Sequence, residues 1–110
     1  MSQATAPRWH AMRTSESKQV EDLLRGEFAQ ADAYRYNSAS IRIRVIDPRF
    51  AGKSVEKRDA MVEPYLDQLP QSIQSDIMNL LTLAPGESEG GPLRDRLANL
   101  EFEDPSPSGL

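Results

Sequence analysis

The segment from residue 40 to residue 62 limits the fold of this chain most. It reads as a strand, a turn with proline and glycine, and the start of a helix that carries basic residues. In residues 40–46, Ile41, Ile43 and Val45 alternate with arginines and Ile46, the period of a strand with two unlike faces. Asp47-Pro48 ends the strand, because proline lacks the amide hydrogen that a sheet needs. Gly52 permits a tight or left-handed turn, and Ser54 caps the helix that follows. The alternation predicts an antiparallel strand with its arginines on a solvated face.

The other apolar patterns predict two more strands and two more helices. Residues 17–30 form a helix with one apolar stripe and with Ser15 or Ser17 as its cap. Residues 33–36 form a strand that a turn at 37–38 joins to the strand just described. The helix that starts after Ser54 has an inward stripe of Val55, Val62, Tyr65, Leu66 and Leu69, with Pro64 as a kink or restart. A short helix at 71–76 precedes a strand at 78–83, whose apolar character on both sides predicts an interior place in the sheet.

This order of elements predicts a small two-layer α+β domain of the type α-β-β-α-α-β. A return from strand to strand through helices should run parallel and right-handed, so the sheet is mixed and three-stranded, with helices on one face. We expect a flexible N-terminal arm at 1–16, a domain at 17–87, and an acidic tail at 88–110 with a candidate short helix at 93–100. Trp9 either folds back onto the domain or binds a partner, and the first is favoured.

The composition argues against several kinds of chemistry. The chain has no cysteine, which excludes disulfides, thiolate nucleophiles and cysteine-ligated zinc or iron–sulfur sites. Its one histidine, His10, falls in the arm, so we predict no enzyme, no metal site and no cofactor. No apolar run approaches the roughly 20 residues that cross a bilayer. The chain also shows no signal-peptide pattern, which predicts a cytoplasmic protein with no membrane partner.

Charge is distributed unevenly along the chain. The net charge is −4, and residues 86–110 hold six acidic against two basic residues, so the predicted domain is near neutral and a weak general binder of polyanions. Four basic residues nevertheless gather around one loop and helix start, where positive charge opposes the helix dipole. We interpret this cluster as a partner-binding surface, with an ordinary solvated surface as the alternative. Its members are Arg49, Lys53, Lys57 and Arg58.

Three segments carry a family resemblance. Phe50-x-Gly52 follows a strand and an acidic residue, Lys57-Arg58 lies in the next helix, and Leu80-Leu-Thr-Leu-Ala-Pro-Gly-Glu87 forms the last strand and its end. Over residues 18–87 this pattern resembles the BolA-like family. The resemblance implies a fold related to the type II KH topology of nucleic-acid binders. It also implies partnership with monothiol glutaredoxins around a two-iron two-sulfur cluster, and DNA binding in some members.

The histidines of that family are not present in this chain. Asp59 stands where the family has a histidine in the second helix. Gln74, Ser75 and Asp76 occupy the region where the family has a histidine at the start of the last strand. Aspartate is a poor ligand for a soft cluster. No ligand residue carries over from the family, and no cofactor is predicted.

Three functions therefore stand as hypotheses. The first is a non-enzymatic BolA-like adaptor that contacts an unidentified protein partner through the Arg49–Arg58 cluster. The second is a nucleic-acid-binding KH-like module, in which Arg42, Arg44 and the Arg49–Arg58 cluster contact phosphates and Tyr34 or Tyr36 stacks on bases. The third is a structural subunit that self-associates through its last strand and residues 93–102; the sequence does not fix the oligomeric state. A continuous basic stripe favours nucleic acid, and separate basic patches favour a protein.

Overall fold

The computed structural model describes residues 6–109 as a three-stranded sheet packed with helices. β2 lies at the centre, antiparallel to β1 and parallel to β3. The predicted α+β class and mixed sheet are confirmed. In chain order the elements are a 3-10 helix at Arg8–Met12, α1 at Ser15–Arg25, β1 at Gln30–Asn37, β2 at Ser40–Ile46, a 3-10 turn at Pro48–Phe50, α2 at Val55–Leu66, α3 at Gln71–Gln74, β3 at Ile77–Leu83, α4 at Glu87–Gly90 and α5 at Leu93–Glu103.

Local side-chain chemistry fixes where the two long core helices begin. Thr14 caps α1 in a reciprocal box with Ser17, in which each side chain accepts the other residue's amide hydrogen. The prediction of Ser15 or Ser17 as the cap was therefore wrong, because the cap lies one residue before Ser15 and three residues before Ser17. The cap of α2 is confirmed, because Ser54 Oγ accepts from the backbone of Lys57. Gly52 has a φ of 75°, the left-handed turn that its sequence position predicts.

The main core lies between α1, α2 and one face of the sheet. Val20 and Leu24 of α1 meet Ile43 and Val45 of β2, and all four are at most 1% exposed. This is the helical layer predicted from the apolar stripes. Val55 is an exception: it was expected to point inward, but it is 41% exposed because it occupies the first turn of α2, outside the packed face.

The opposite face of the sheet is covered rather than solvated, which corrects the prediction for the arginines. Trp9, Tyr34 and Phe102 form a second buried cluster there, with ring centroids of Tyr34 and Phe102 4.8 Å apart. Trp9 thus folds back from the segment expected to be a flexible arm, and α5 docks through Phe102. Arg44 lies beneath this cover and is only 4% exposed.

The last strand occupies an edge of the sheet, and the prediction of an interior strand was wrong. β2 already pairs with β1 and β3 on its two sides, so β3 has a neighbour on one side only within the described part of the chain. Its apolar character has another cause, since Leu80 packs towards the main core and Leu81 towards the Trp9 cluster. No helix within residues 6–109 has both the length and the apolar character needed to cross a membrane.

Candidate functional site

The predicted basic cluster is held by contacts within the chain. Arg49 Nε lies 3.0 Å from Asp47 Oδ1, and Arg49 Nη1 lies 3.2 Å from Glu27 Oε1. This guanidinium lowers the pKa of Asp47 to about 2. Lys53 Nζ donates to the backbone carbonyl of Arg49, while the side chain of Lys57 is exposed. Arg49 is thus partly neutralised, which leaves Lys53 and Lys57 as the outward-facing charges of this loop.

Arg58, the fourth member of the cluster, is buried at the end of β3. Its guanidinium meets Glu87 at two points and donates to the carbonyl of Thr82 at 3.1 Å. The same Glu87 carboxylate accepts from the backbone of Ala84 at 2.7 Å. The ion pair lowers the pKa of Glu87. At 7% exposed, Arg58 ties α2 to the strand end and offers little surface to a partner.

The residues proposed for nucleic-acid contact lie together under α5. Arg42 donates to Glu101 at 2.8 Å and stacks 3.6 Å from the centroid of the Tyr36 ring. Arg44 is held by Asp32 and Glu103, each at 2.8 Å. Tyr34 is fully buried, so its ring cannot stack on a base while α5 is in place. Carboxylates thus occupy the positions that phosphates would need.

The two basic groups form separate patches. Arg42 and Arg44 belong to the face covered by α5, where Arg44 lies 4.5 Å from the Phe102 ring. Arg49 instead lies 5.0 Å from the ring of Phe28, which belongs to the core on the other face. There is no continuous basic stripe along the described chain, and this is the arrangement that favours a protein partner.

The outer side of β3 presents unpaired backbone groups. Because Leu83 accepts from Asp47 on the β2 side, the alternation of a strand turns the backbone groups of Thr82 and Leu80 outward. Arg58 and Glu87 already bind the outward groups of Thr82 and Ala84. Within residues 6–109, no group pairs with the outward N–H or C=O of Leu80. We call the outer side of residues 78–80 the open edge.

A groove flanks the open edge on each face of the sheet. The groove on the α2 side has a volume of about 440 Å³ and is lined by Asp59, Glu63, Leu66, Ile77, Met78, Asn79 and Leu80. The groove on the α5 side has a volume of about 300 Å³ and is lined by Arg42, Ile43, Asn79, Leu80, Leu81, Ala98, Glu101 and Phe102. We refer to them as the α2 groove and the α5 groove. Both touch Asn79 and Leu80, so the open edge runs between them.

The two grooves differ in charge. In the α5 groove, Arg42 and Glu101 neutralise each other, and apart from Asn79 the rest of the lining is apolar. In the α2 groove, the carboxylates of Asp59 and Glu63 have no basic partner among residues 6–109. Burial and the nearby Glu63 raise the pKa of Asp59, although the Thr82 hydroxyl donates to it at 3.4 Å. The α2 groove is therefore an acidic surface to which the described residues supply no counter-charge.

The sequence did not predict this site, because β3 was expected in the interior of the sheet. One signal was present in the sequence: the polar Asn79 interrupts the apolar residues of the last strand, and the structure leaves both Met78 and Asn79 exposed. Met78 is 60% exposed, which an interior strand covered on both faces would not allow. The lack of a neighbour beyond β3 is a property of the assembled sheet.

Comparisons with protein-family models, with curated proteins and with solved structures each found no match to this chain. Among residues 6–109, no group of three or more histidine or acidic side chains is placed to hold a metal ion.

Proposed function

We propose that this protein is a non-enzymatic BolA-like adaptor that acts through protein–protein contacts at the open edge of β3. The observation that carries the proposal is the pair of unpaired backbone groups at Leu80 between the two grooves. Strand edges of this kind bind a partner through main-chain hydrogen bonds, and flanking pockets select its side chains. The cytoplasmic location remains a prediction from the sequence.

Two further features support a protein partner. The basic residues lie in separate patches, and most of them are already bound by carboxylates. The order of elements and the mixed sheet also agree with what the BolA-like resemblance implies. The proposed contact surface differs from the Arg49–Arg58 cluster, since Arg58 serves to close one end of the edge.

The test compares Leu80→Pro with Leu80→Ala in cells that express the tagged protein. Both variants lose the leucine side chain, but only proline removes the outward N–H and blocks the edge. We expect partner proteins identified by proximity labelling to be retained by Leu80→Ala and lost by Leu80→Pro. Circular dichroism first establishes that both variants fold. Equal labelling by the two folded variants would place the contact elsewhere.

A second candidate function, self-association, is favoured by one observation on α5. Leu93, Leu97 and Leu100 are 60%, 55% and 62% exposed and lie on one side of the helix, opposite to Phe102. An apolar helical stripe of this kind pairs with another apolar surface. Light scattering tests this function: a dimer that becomes monomeric in Leu97→Glu supports it. A monomeric mass for the unchanged protein at high concentration contradicts it.

A further inference from the structure

From the chemistry of the two grooves we propose that the ligand of the open edge is an extended peptide with one basic side chain between two apolar ones. The peptide adds a fourth strand beside β3, places its lysine or arginine in the α2 groove, and places the apolar neighbours in the α5 groove. This inference rests on the proposed function and specifies the chemical class of the partner.

The strand geometry requires side chains of alternating character. In a strand beside β3, successive side chains point to opposite faces of the sheet, so neighbours in the peptide enter different grooves. The carboxylates of Asp59 and Glu63 on the α2 side select a cation. On the α5 side, the apolar lining around Leu81, Ala98 and Phe102 selects aliphatic groups. The recognised pattern is therefore apolar–basic–apolar.

The length of the pairing is limited at one end. Arg58 Nη1 occupies the carbonyl of Thr82, and Glu87 occupies the amide of Ala84. An added strand can thus pair at Leu80, next to Met78 and Asn79 where the register of β3 against β2 shifts, and must end or bend away before Thr82. The site accommodates a short segment, so we expect weak, reversible binding.

A second copy of this chain is a poorer occupant of the same edge. Two β3 strands paired antiparallel around a two-fold axis perpendicular to the sheet would place both α2 helices on the same face. Asp59 and Glu63 of each copy would then approach those of the other copy. Four carboxylates near one another oppose pairing, whereas a basic peptide side chain neutralises them.

The experiment measures binding of two synthetic peptides to the full chain. The probes are acetyl-TTLKLTT-amide and acetyl-TTLELTT-amide, which differ only in the central charge. Binding is followed by amide chemical shifts of the ¹⁵N-labelled protein at up to about 1 mM peptide, the weak-binding range. We expect the lysine peptide to shift the amides of residues 78–80 in a saturable way, and to bind about three- to tenfold more tightly than the glutamate peptide.

Matched protein variants separate the contributions. In Asp59→Asn/Glu63→Gln, the preference for lysine over glutamate should disappear while the apolar contacts persist. In Leu80→Pro, both peptides should lose binding, and in Arg94→Gln, an exposed site outside both grooves, neither affinity should change. A folded Leu80→Pro protein that still binds the lysine peptide would overturn strand addition.

Three other outcomes would overturn the inference. These are no binding of the lysine peptide, equal affinity for both peptides, or shifts centred on α5 leucines away from the edge. Concentration-dependent protection of the Leu80 amide without peptide would identify a second copy as the occupant instead. If one of these outcomes overturns the peptide inference but proximity labelling still depends on Leu80, the adaptor proposal stands. Peptide binding without any edge-dependent partner in cells would contradict the adaptor proposal alone.

Discussion

Arg58 and Glu87 form a two-point ion pair at the end of β3, with Nη1 2.6 Å from Oε1 and Nη2 3.0 Å from Oε2. The pair joins α2 to α4 and also binds the backbone of the strand, at the carbonyl of Thr82 and the amide of Ala84. Arg58 gives the Thr82 carbonyl a donor and Glu87 gives the Ala84 amide an acceptor, as a neighbouring strand would. The sheet edge is therefore closed at this end and open at Leu80.

We expect Arg58→Met to lower the free energy of unfolding by about 1–3 kcal/mol. The change leaves Glu87 and the Thr82 carbonyl without their shared partner, and breaking a partly buried ion pair from one side is costly. Urea denaturation measures the effect. The matched control is Arg94→Met, whose side chain is 76% exposed and should change stability by less than about 0.5 kcal/mol. An equal change in unfolding free energy in Arg58→Met and Arg94→Met would show that the contacts of Arg58 at the sheet edge do not stabilise the fold.

Asp47 should make stability depend on acid pH. Its pKa in the folded chain is about 2, against an ordinary value of 3.8, because Arg49 and two backbone amides donate to it. A depressed pKa stabilises the fold above the ordinary value, and this contribution is lost as the pH falls from about 4 to about 2. In Asp47→Asn, we expect unfolding free energy at pH 7 to fall by about 1–2 kcal/mol. The difference from the unchanged protein should shrink towards pH 2 in urea titrations; a constant difference would contradict this assignment.

Asp59 should change the stability with pH in the opposite direction from Asp47. Burial raises the pKa of Asp59, so ionising this carboxyl costs more in the folded chain than in the unfolded chain, and its charge lowers the stability of the fold at neutral pH. Asp59→Asn keeps an oxygen for the Thr82 hydroxyl and should raise the melting temperature at pH 7. The gain should vanish at pH 3, where the carboxyl is protonated in both states. A lower melting temperature at pH 7 would mean that the carboxylate is stabilised by a partner.

Phe102 should control whether the second face of the sheet is covered. Its ring packs with Trp9 at 5.5 Å and with Tyr34 at 4.8 Å, so Phe102→Ala should cost about 2–4 kcal/mol. Trp9, which is 2% exposed, should become solvated, and its fluorescence emission should move to longer wavelength. Leu97→Ala is the control, since Leu97 is 55% exposed and its loss should leave the emission unchanged. An unchanged emission in Phe102→Ala would show that Trp9 is buried independently of α5.

The core helices and the β1–β2 hairpin were predictable from local patterns. The stripe of Val20, Leu23, Leu24 and Phe28 and the alternation in β2 each identified their element, because one buried face imposes a period of 3.6 or of 2. The predicted end of the first helix at residue 30 was wrong, since α1 ends at Arg25 and β1 begins at Gln30. Ser54 and Gly52 marked the start of α2 for equally local reasons. The predicted α+β class followed from these elements in sequence.

The candidate site was not predictable in the same way. Residues 42 and 44 alternate as solvent-facing arginines should, but Glu101 and Glu103, more than fifty residues away, bury them. The sequence predicted Arg58 to be a surface charge, but in the structure Glu87 and the end of β3 surround it. Such pairings depend on which segments meet, and no local period encodes them.

The sequence by itself determined the three strands, the helices before and between them and the mixed sheet, because helix and strand periods and turns act over a few residues and the return through helices has a fixed hand. Only the tertiary structure decided that β3 lies at an edge, that α5 and Trp9 cover the second face, and that Asp59 and Glu63 have no basic partner within residues 6–109. The physical reason is that edges, covered faces and ion pairs arise from contacts between residues far apart in the chain.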